Sequence, residues 1–179
     1  ESVIPDLLDA GVPRDRIRVV SCGVNYERFT TIPLDRANVR AKYGIPLDVF
    51  TYITVGRNHP KKGFPVLVKA LAELKVILPR DPFHCVFVGR GMDQLKPLAQ
   101  ELGVAESVTF VDEVGASDED KAYEMPSSPL IHLYRSADAS AYPSLLEAHG
   151  TINIEAMAAG IPVVSTNAPG VKETIEDGF

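Results

Sequence analysis

The chain has 179 residues, 45% apolar and 23% charged, the composition of one ordinary globular domain with a sizeable core. Its net charge of -6 excludes a nonspecific nucleic-acid binder, which needs a basic surface, so any anion site must be a local basic pocket. Two cysteines, Cys22 and Cys85, are too few for a disulfide framework or a cysteine metal site, and no apolar run is long enough to span a bilayer. Cys85 lies in an apolar run and reads as a buried thiol in a reducing compartment, so a cytoplasmic location is expected. The chain begins at Glu1 and stops at Asp177-Gly-Phe179 just after a helical pattern, which reads as a piece of a longer protein. Membrane association would then come only through regions outside it.

In chain order, Pro5–Ala10 reads as a helix and Ile17-Arg-Val-Val-Ser21 as a short strand. A helix over Pro33–Tyr43 closes at Gly44, and Val49–Gly56 is a buried strand. Phe64–Leu78 carries Leu67, Ala70, Leu71, Leu74 and Leu78 at the period of an amphipathic helix. Phe83–Gly89 is a second buried strand, Met92–Leu102 a helix stopped by Gly103, and Ser107–Val111 a third strand. The acidic stretch Asp112–Pro129 reads as a loop or insertion. A short helix over Leu130–Ser136, a strand over Ala139–Tyr142, a strand over Ile161–Ser165 and a helix from about Val171 complete the pattern. Strands spaced by helices predict an α/β fold: one Rossmann-like three-layer αβα domain over residues 1–179, with a mainly parallel sheet. Ligands in such sheets bind beyond the carboxyl ends of the strands, where the candidate residues fall.

The most informative stretch is Glu147-Ala-His-Gly-Thr-Ile-Asn-Ile-Glu155-Ala-Met-Ala-Ala-Gly160. It reads as a loop carboxylate, a glycine turn, a helix starting near Thr151 with a second carboxylate, and a glycine stop. Position 154 is Ile, so no capping box forms and first-turn amides are left for a ligand, although Thr151 itself is able to cap the end. A free helix N-terminus suits a phosphate, and two carboxylates suit sugar hydroxyls; a nucleotide sugar needs all three. The helix dipole alone also favours a carboxylate at Glu155. His149 reads either as a donor to a sugar hydroxyl or phosphate or as a structural turn residue.

Val55-Gly-Arg57-Asn-His-Pro-Lys-Lys62-Gly63 follows a buried strand and precedes a helix. Arg57 suits bidentate phosphate contact and Lys62 a mobile point charge. A solvated turn with surface bases is the equal alternative, and Lys61 reads as a solvated neighbour. Gly89-Arg90-Gly91 is part of a dinucleotide fingerprint in which Gln94 replaces the third glycine, with Asp112 near the distance of a ribose-binding acid. Asp118-Glu-Asp120 matches an Asp-x-Asp metal–diphosphate pattern, but it lies in the acidic loop and reads as chance. The four histidines lack metal-ligand spacing, and neither a GxSxG elbow nor a P-loop is present.

Together these segments resemble the donor-binding C-terminal domain of family 4 retaining glycosyltransferases, built from two Rossmann-like domains in the GT-B arrangement. The resemblance covers essentially the whole chain. Gly11-Val-Pro…Arg16-Ile-Arg-Val-Val…Gly23-Val-Asn…Phe29 is similar to the family's linker segment, and Val55-Gly-Arg57…Lys62-Gly63 to its diphosphate clamp. Ala137-Asp138…Pro143-Ser144, Glu147-x7-Glu155 through Ser165, and Pro169-Gly-Val-Lys-Glu173 complete the likeness. Ala148, His149 and Asp112 depart from it, as does the longer Asp112–Pro129 stretch.

The resemblance implies that Arg57 and Lys62 neutralise the donor diphosphate and, with Glu147, carry catalysis. It implies that Glu147 accepts hydrogen bonds from the donor sugar, and that the Gly150, Thr151 and Ile152 backbone approaches the phosphates. Glu155 would bind the ribose, and Val111 and Val114 would lie beside the base; the residues themselves, not the resemblance, put the Gly89 turn close to the nucleotide. The donor would be a UDP-, GDP- or ADP-linked sugar, with no obligatory metal or other cofactor. An N-terminal domain outside this chain would hold the acceptor, so the fragment alone would bind nucleotide without turning it over. A NAD-type oxidoreductase domain and a non-catalytic nucleotide-binding module of the same fold are the competing readings.

Overall fold

The structure is a computed structural model that describes residues 3–118, 120, 121 and 124–176. Its centre is a five-stranded, all-parallel sheet in the order β3-β2-β1-β4-β5. The strands are β1 (Phe50–Val55), β2 (Phe83–Val88), β3 (Val108–Val111), β4 (Ala139–Tyr142) and β5 (Val163–Ser165). β1 is central: Phe50–Val55 pair in step with Phe83–Val88, while Tyr52 and Ile53 face Ala139 and Ser140. The first three strands run outward to one side, and the chain then returns past β1 to lay down β4 and β5 on the other. The order therefore reverses between β1 and β4, the switch point at which such sheets hold their ligands.

Helices cover both faces. They are α1 (Ile4–Asp9), α2 (Tyr26–Thr31), α3 (Arg36–Lys42), α4 (Phe64–Ile77), α5 (Lys96–Glu101), α6 (Ser128–Ser136) and α7 (Thr151–Ala158). On one face Phe64, Val68 and Leu71 of α4 bury against Cys85 and Phe87 of β2, with Met92, Leu95 and Ala99 beside them. On the other, Ile131, Leu133 and Tyr134 of α6 and Ala156 of α7 pack on Ile53, Val55, Val86 and Val88. The strand side chains alternate between the two clusters, as the pleat requires. This is the predicted αβα sandwich, with Cys85 fully buried and its thiol pushed up by burial.

At the amino ends of the strands, Arg40 of α3 is 1% exposed. It donates to the carbonyls of Pro46, Leu47, Val49 and Ser136 and to the Asp138 carboxylate at 2.9 Å. Asp138 also accepts from the Thr51 amide at 2.8 Å, which fixes the start of β1 beside β4.

Two expectations are corrected, and one helix was not foreseen. Ile17–Ser21 is extended but joins no strand: Ile17 is buried while Val19 and Val20 are exposed, and no sheet edge lies alongside to complete the ladder. Residues 171–176 form turns and irregular chain, not a helix. α2 lies where no element was read. The segment Asp177–Phe179 lies outside the described residues. No helix among the described residues is long and apolar enough to cross a membrane.

Candidate functional site

Beyond the carboxyl ends of β1 and β2, a cleft of about 510 Å³ is lined by Gly56, Arg57, Lys62, Gly89, Arg90, Glu113, Val114, Met125 and Leu130. After β1 the chain makes a short 3-10 turn over Pro60–Lys62, held by the His59 imidazole, which accepts from the Lys61 amide at 3.2 Å. Gly63 then adopts φ +67° and starts α4, so Lys62 turns back toward β4. A Cβ on Gly63 would lie 2.2 Å from the Pro143 carbonyl oxygen, so only glycine lets the loops after β1 and β4 approach this closely. The Leu145 amide donates to the Lys61 carbonyl at 2.8 Å and fixes the same seam. Lys61 contributes through its backbone, not only as a solvated base.

Glu147 lies on the other side of that seam. Its carboxylate accepts from Lys62 Nζ, from the Tyr142 hydroxyl and, at 2.8 Å, from Ser144 Oγ. Lys62 Nζ also lies 2.9 Å from the Tyr142 hydroxyl. Burial pushes the Glu147 carboxyl up, but these hydrogen bonds and the Lys62 charge outweigh it, so it titrates below its ordinary range. The Glu147 amide is itself held by the Pro169 carbonyl at 3.1 Å, and a Cβ on Gly170 would collide with the Glu147 carbonyl at 2.0 Å.

Glu155 sits in α7 and accepts from the Tyr134 hydroxyl of α6 at 2.9 Å. Here burial dominates and raises the carboxyl above its ordinary value, with the Tyr134 hydrogen bond opposing it. Tyr142 is pushed up chiefly by burial and then by Glu147, with a smaller push from Glu155. Neither Tyr142 nor Tyr134 was singled out in the sequence, where both look like core aromatics. The signal available was the place of Tyr142 at a strand's carboxyl end, five residues before the loop carboxylate.

Arg57 is exposed at the mouth of the cleft and makes no hydrogen bond or ion pair with the described residues. Val114 lines the cleft, whereas Val111 ends β3 in a smaller adjoining hollow with Gly91 and Asp112. Gly89 touches both hollows. A Cβ there would meet the Gly56 carbonyl at 2.1 Å, so the contact between the two strand ends already accounts for that glycine. α7 has no side-chain cap. The Gly150 amide is taken by the Gly170 carbonyl at 3.0 Å and the Thr151 amide by the His149 carbonyl at 2.8 Å. That leaves the Ile152 amide as the one of the three without a backbone partner. His149 does not line the cleft; it faces a separate hollow of about 500 Å³ beside Leu7 and Ile17–Cys22, where its buried Nε2 has no hydrogen-bond partner among the described residues.

Of Asp118-Glu-Asp120, Glu119 lies outside the described residues. The Asp120 carboxylate is fully enclosed by protein donors, as detailed below, which gives this acid a structural role. Asp112 accepts from the following amide of Glu113 at 2.8 Å.

The chain matches the family model described as glycosyl transferases group 1 over residues 35–179. It is 38% identical over 175 residues to the D-inositol 3-phosphate glycosyltransferase of Nocardia farcinica, covering 94% of this chain and 36% of that protein. Against the enzyme of the same name from Acidothermus cellulolyticus the identity is 35% over 177 residues, 94% of this chain and 37% of that protein. A crystal structure of a glycosyltransferase from Rickettsia africae superposes with a TM-score of 0.81 at 26% identity, covering 98% of this chain and 45% of that one. WaaG, a glycosyltransferase involved in lipopolysaccharide biosynthesis, superposes at 0.75 with 25% identity, over 96% of this chain and 44% of that one. The chain spans little more than a third of the length of the curated relatives it matches. It belongs to the group 1 glycosyl transferases.

Proposed function

We propose, from that membership and from the geometry of the cleft, that the chain is the donor-binding half of a retaining, family 4 glycosyltransferase of GT-B architecture. It would bind a nucleotide-diphospho-sugar, with UDP, GDP or ADP as the nucleotide. A second, N-terminal domain in the whole protein would bring the acceptor. The observation that carries this reading is the seam at the switch point. Lys62, which lines the cleft with Arg57, meets Glu147 there across 85 residues of sequence, while Arg57 has no hydrogen bond or ion pair among the described residues.

The roles follow from charge and reach. Arg57 and Lys62 face the diphosphate, and their positive charge stabilises it as it departs with the bonding electrons. Lys62 is held by Glu147 until the donor arrives. The diphosphate then shares its charge, and the released lone pairs of Glu147 accept from hydroxyls of the donor sugar. Glu155 takes the ribose hydroxyls, while Val114, Met125 and Leu130 form the apolar wall for the base. The relatives named as D-inositol 3-phosphate glycosyltransferases favour a phosphorylated polyol as acceptor class. A NAD-binding reading loses its ground because Gly89 is already accounted for by Gly56, and the family is a transferase family.

A thermal-shift panel of UDP, GDP, ADP, their sugars and NAD(H) tests the reading. A matched nucleoside diphosphate at a hundred times its dissociation constant adds ~2.7 kcal/mol of stability. A response to NAD(H) alone overturns the transferase reading. Arg57→Ala should leave the melting temperature unchanged, since the exposed side chain makes no hydrogen bond or ion pair among the described residues, and weaken diphosphate binding by about tenfold or more. Unchanged affinity would place the clamp elsewhere.

A further inference from the structure

The longer acidic stretch, which the family likeness does not explain, contains a tightly made knot. The Asp120 side chain is 0% exposed. Its carboxylate accepts from the Ser117 amide at 2.7 Å and Ser117 Oγ at 3.0 Å. It also takes the Ser128 amide at 3.0 Å, Ser128 Oγ at 2.5 Å and an Arg28 guanidinium nitrogen at 2.5 Å. Arg28, on α2, also donates to the Pro126 carbonyl at 2.5 Å and lies 3.6 Å from Glu124. One buried carboxylate thus joins the loop, the first residue of α6 and the N-terminal segment.

The residues flanking these anchor points form one wall of the cleft. Val114 is tied in by Ser127 Oγ, which donates to its carbonyl at 3.4 Å; Met125 precedes Pro126; and Leu130 is two residues past Ser128 in α6. Met125 is 73% exposed, so packing beneath it does not fix its place; its neighbours do.

We propose that Asp120 is a positioning residue for the donor's nucleobase, holding Val114, Met125 and Leu130 as the apolar face against which the base lies. Its Arg28 contact extends this hold to α2, ahead of β1 in the chain. The inference rests on the reading of the cleft as a nucleotide site. Asp120 touches no part of the diphosphate clamp, so its effect falls on the base and not on the phosphates.

The test is titration of the full-length protein with UDP, GDP, ADP and inorganic pyrophosphate, for the unaltered sequence, Asp120→Asn, Arg28→Lys and Met125→Ala, with melting temperatures recorded. In Asp120→Asn and Arg28→Lys the best nucleoside diphosphate should weaken about tenfold while pyrophosphate stays within about twofold. Met125→Ala removes an exposed side chain, so it reads the wall even where Asp120→Asn does not fold, and should show the same split. Parallel loss of nucleotide and pyrophosphate, or no loss of either, overturns the proposal. If the unaltered protein binds none of the four, the nucleotide-site reading itself fails and takes this inference with it.

Discussion

Gly63 lies so close to Pro143 that the Lys61–Gly63 turn and the start of the loop carrying Glu147 are in backbone contact. Gly63→Ala puts a Cβ into the Pro143 carbonyl and places alanine at φ +67°, a conformation that costs about 1–3 kcal/mol by itself. The unfolding free energy from urea titration should fall by at least that amount, lowering the midpoint, and kcat/KM should also fall because Lys62 leaves Glu147. A midpoint equal to that of the unaltered protein would contradict the contact.

Glu147 and Lys62 are expected to act as a pair. Removing one preorganised electrostatic partner at a developing charge typically lowers turnover by ~100–1,000-fold, so Lys62→Ala and Glu147→Gln should each do so in the full-length protein. Combined, they should lose less than the product of the two, since each needs the other. Glu147 titrates below its ordinary range, so the stability of its ion pair is present above ordinary carboxylate pH and disappears as pH falls through the lowered value. Steady-state kinetics of the double-mutant cycle supplies the check.

Glu155 should set the pH dependence of nucleotide binding. Burial raises its carboxyl, so the unliganded fold loses stability as pH climbs from the ordinary carboxylate value to the raised one. Ribose hydroxyls donate to the ionised form, so nucleotide affinity should rise over the same interval and level off above it. In Glu155→Gln the rise should vanish. Titration calorimetry from pH 4.5 to 8 measures it, and an unchanged profile in the variant would assign the pH dependence to another group.

Arg40→Ala should be the most damaging change away from the site. It takes the shared donor from the buried Ser136 carbonyl, three partly buried carbonyls and Asp138, which keeps its Arg36 partner; leaving a buried acceptor unsatisfied costs about 1–3 kcal/mol. The melting temperature should drop sharply. Surviving folded protein should bind nucleotide with unchanged affinity, because Arg40 lies at the opposite end of the strands from the cleft. Differential scanning calorimetry beside a binding isotherm separates the two effects.

Much of the fold was legible because burial on both faces leaves continuous apolar runs such as Phe83–Val88, and because Leu71 and its neighbours repeat with the period of a helix. Ile17–Ser21 misled because β-branched residues indicate extended chain, while a strand also needs a partner edge. At the seam, Lys62 and Glu147 could be picked out by type and position. What joins them could not: Tyr142 is one more aromatic in a strand until the return past β1 sets it beside Lys62. The Asp120 knot was hidden for a similar reason, because Arg28 lies 92 residues away in sequence. The Asp-x-Asp spacing reads as chance, and the Asp120 carboxylate is taken up by amides, hydroxyls and a guanidinium.

β4 inserts beside β1 only after the chain has travelled out to β3 and back. A growing polypeptide therefore completes its cationic turn long before the acidic loop that answers it has been made. The Lys62–Glu147 seam needs the fourth strand seated on the open flank of the first. Any molecule that bridges the two flanks would work as a clasp, and its departure would loosen that flank first while the β2–β3 side stayed shut.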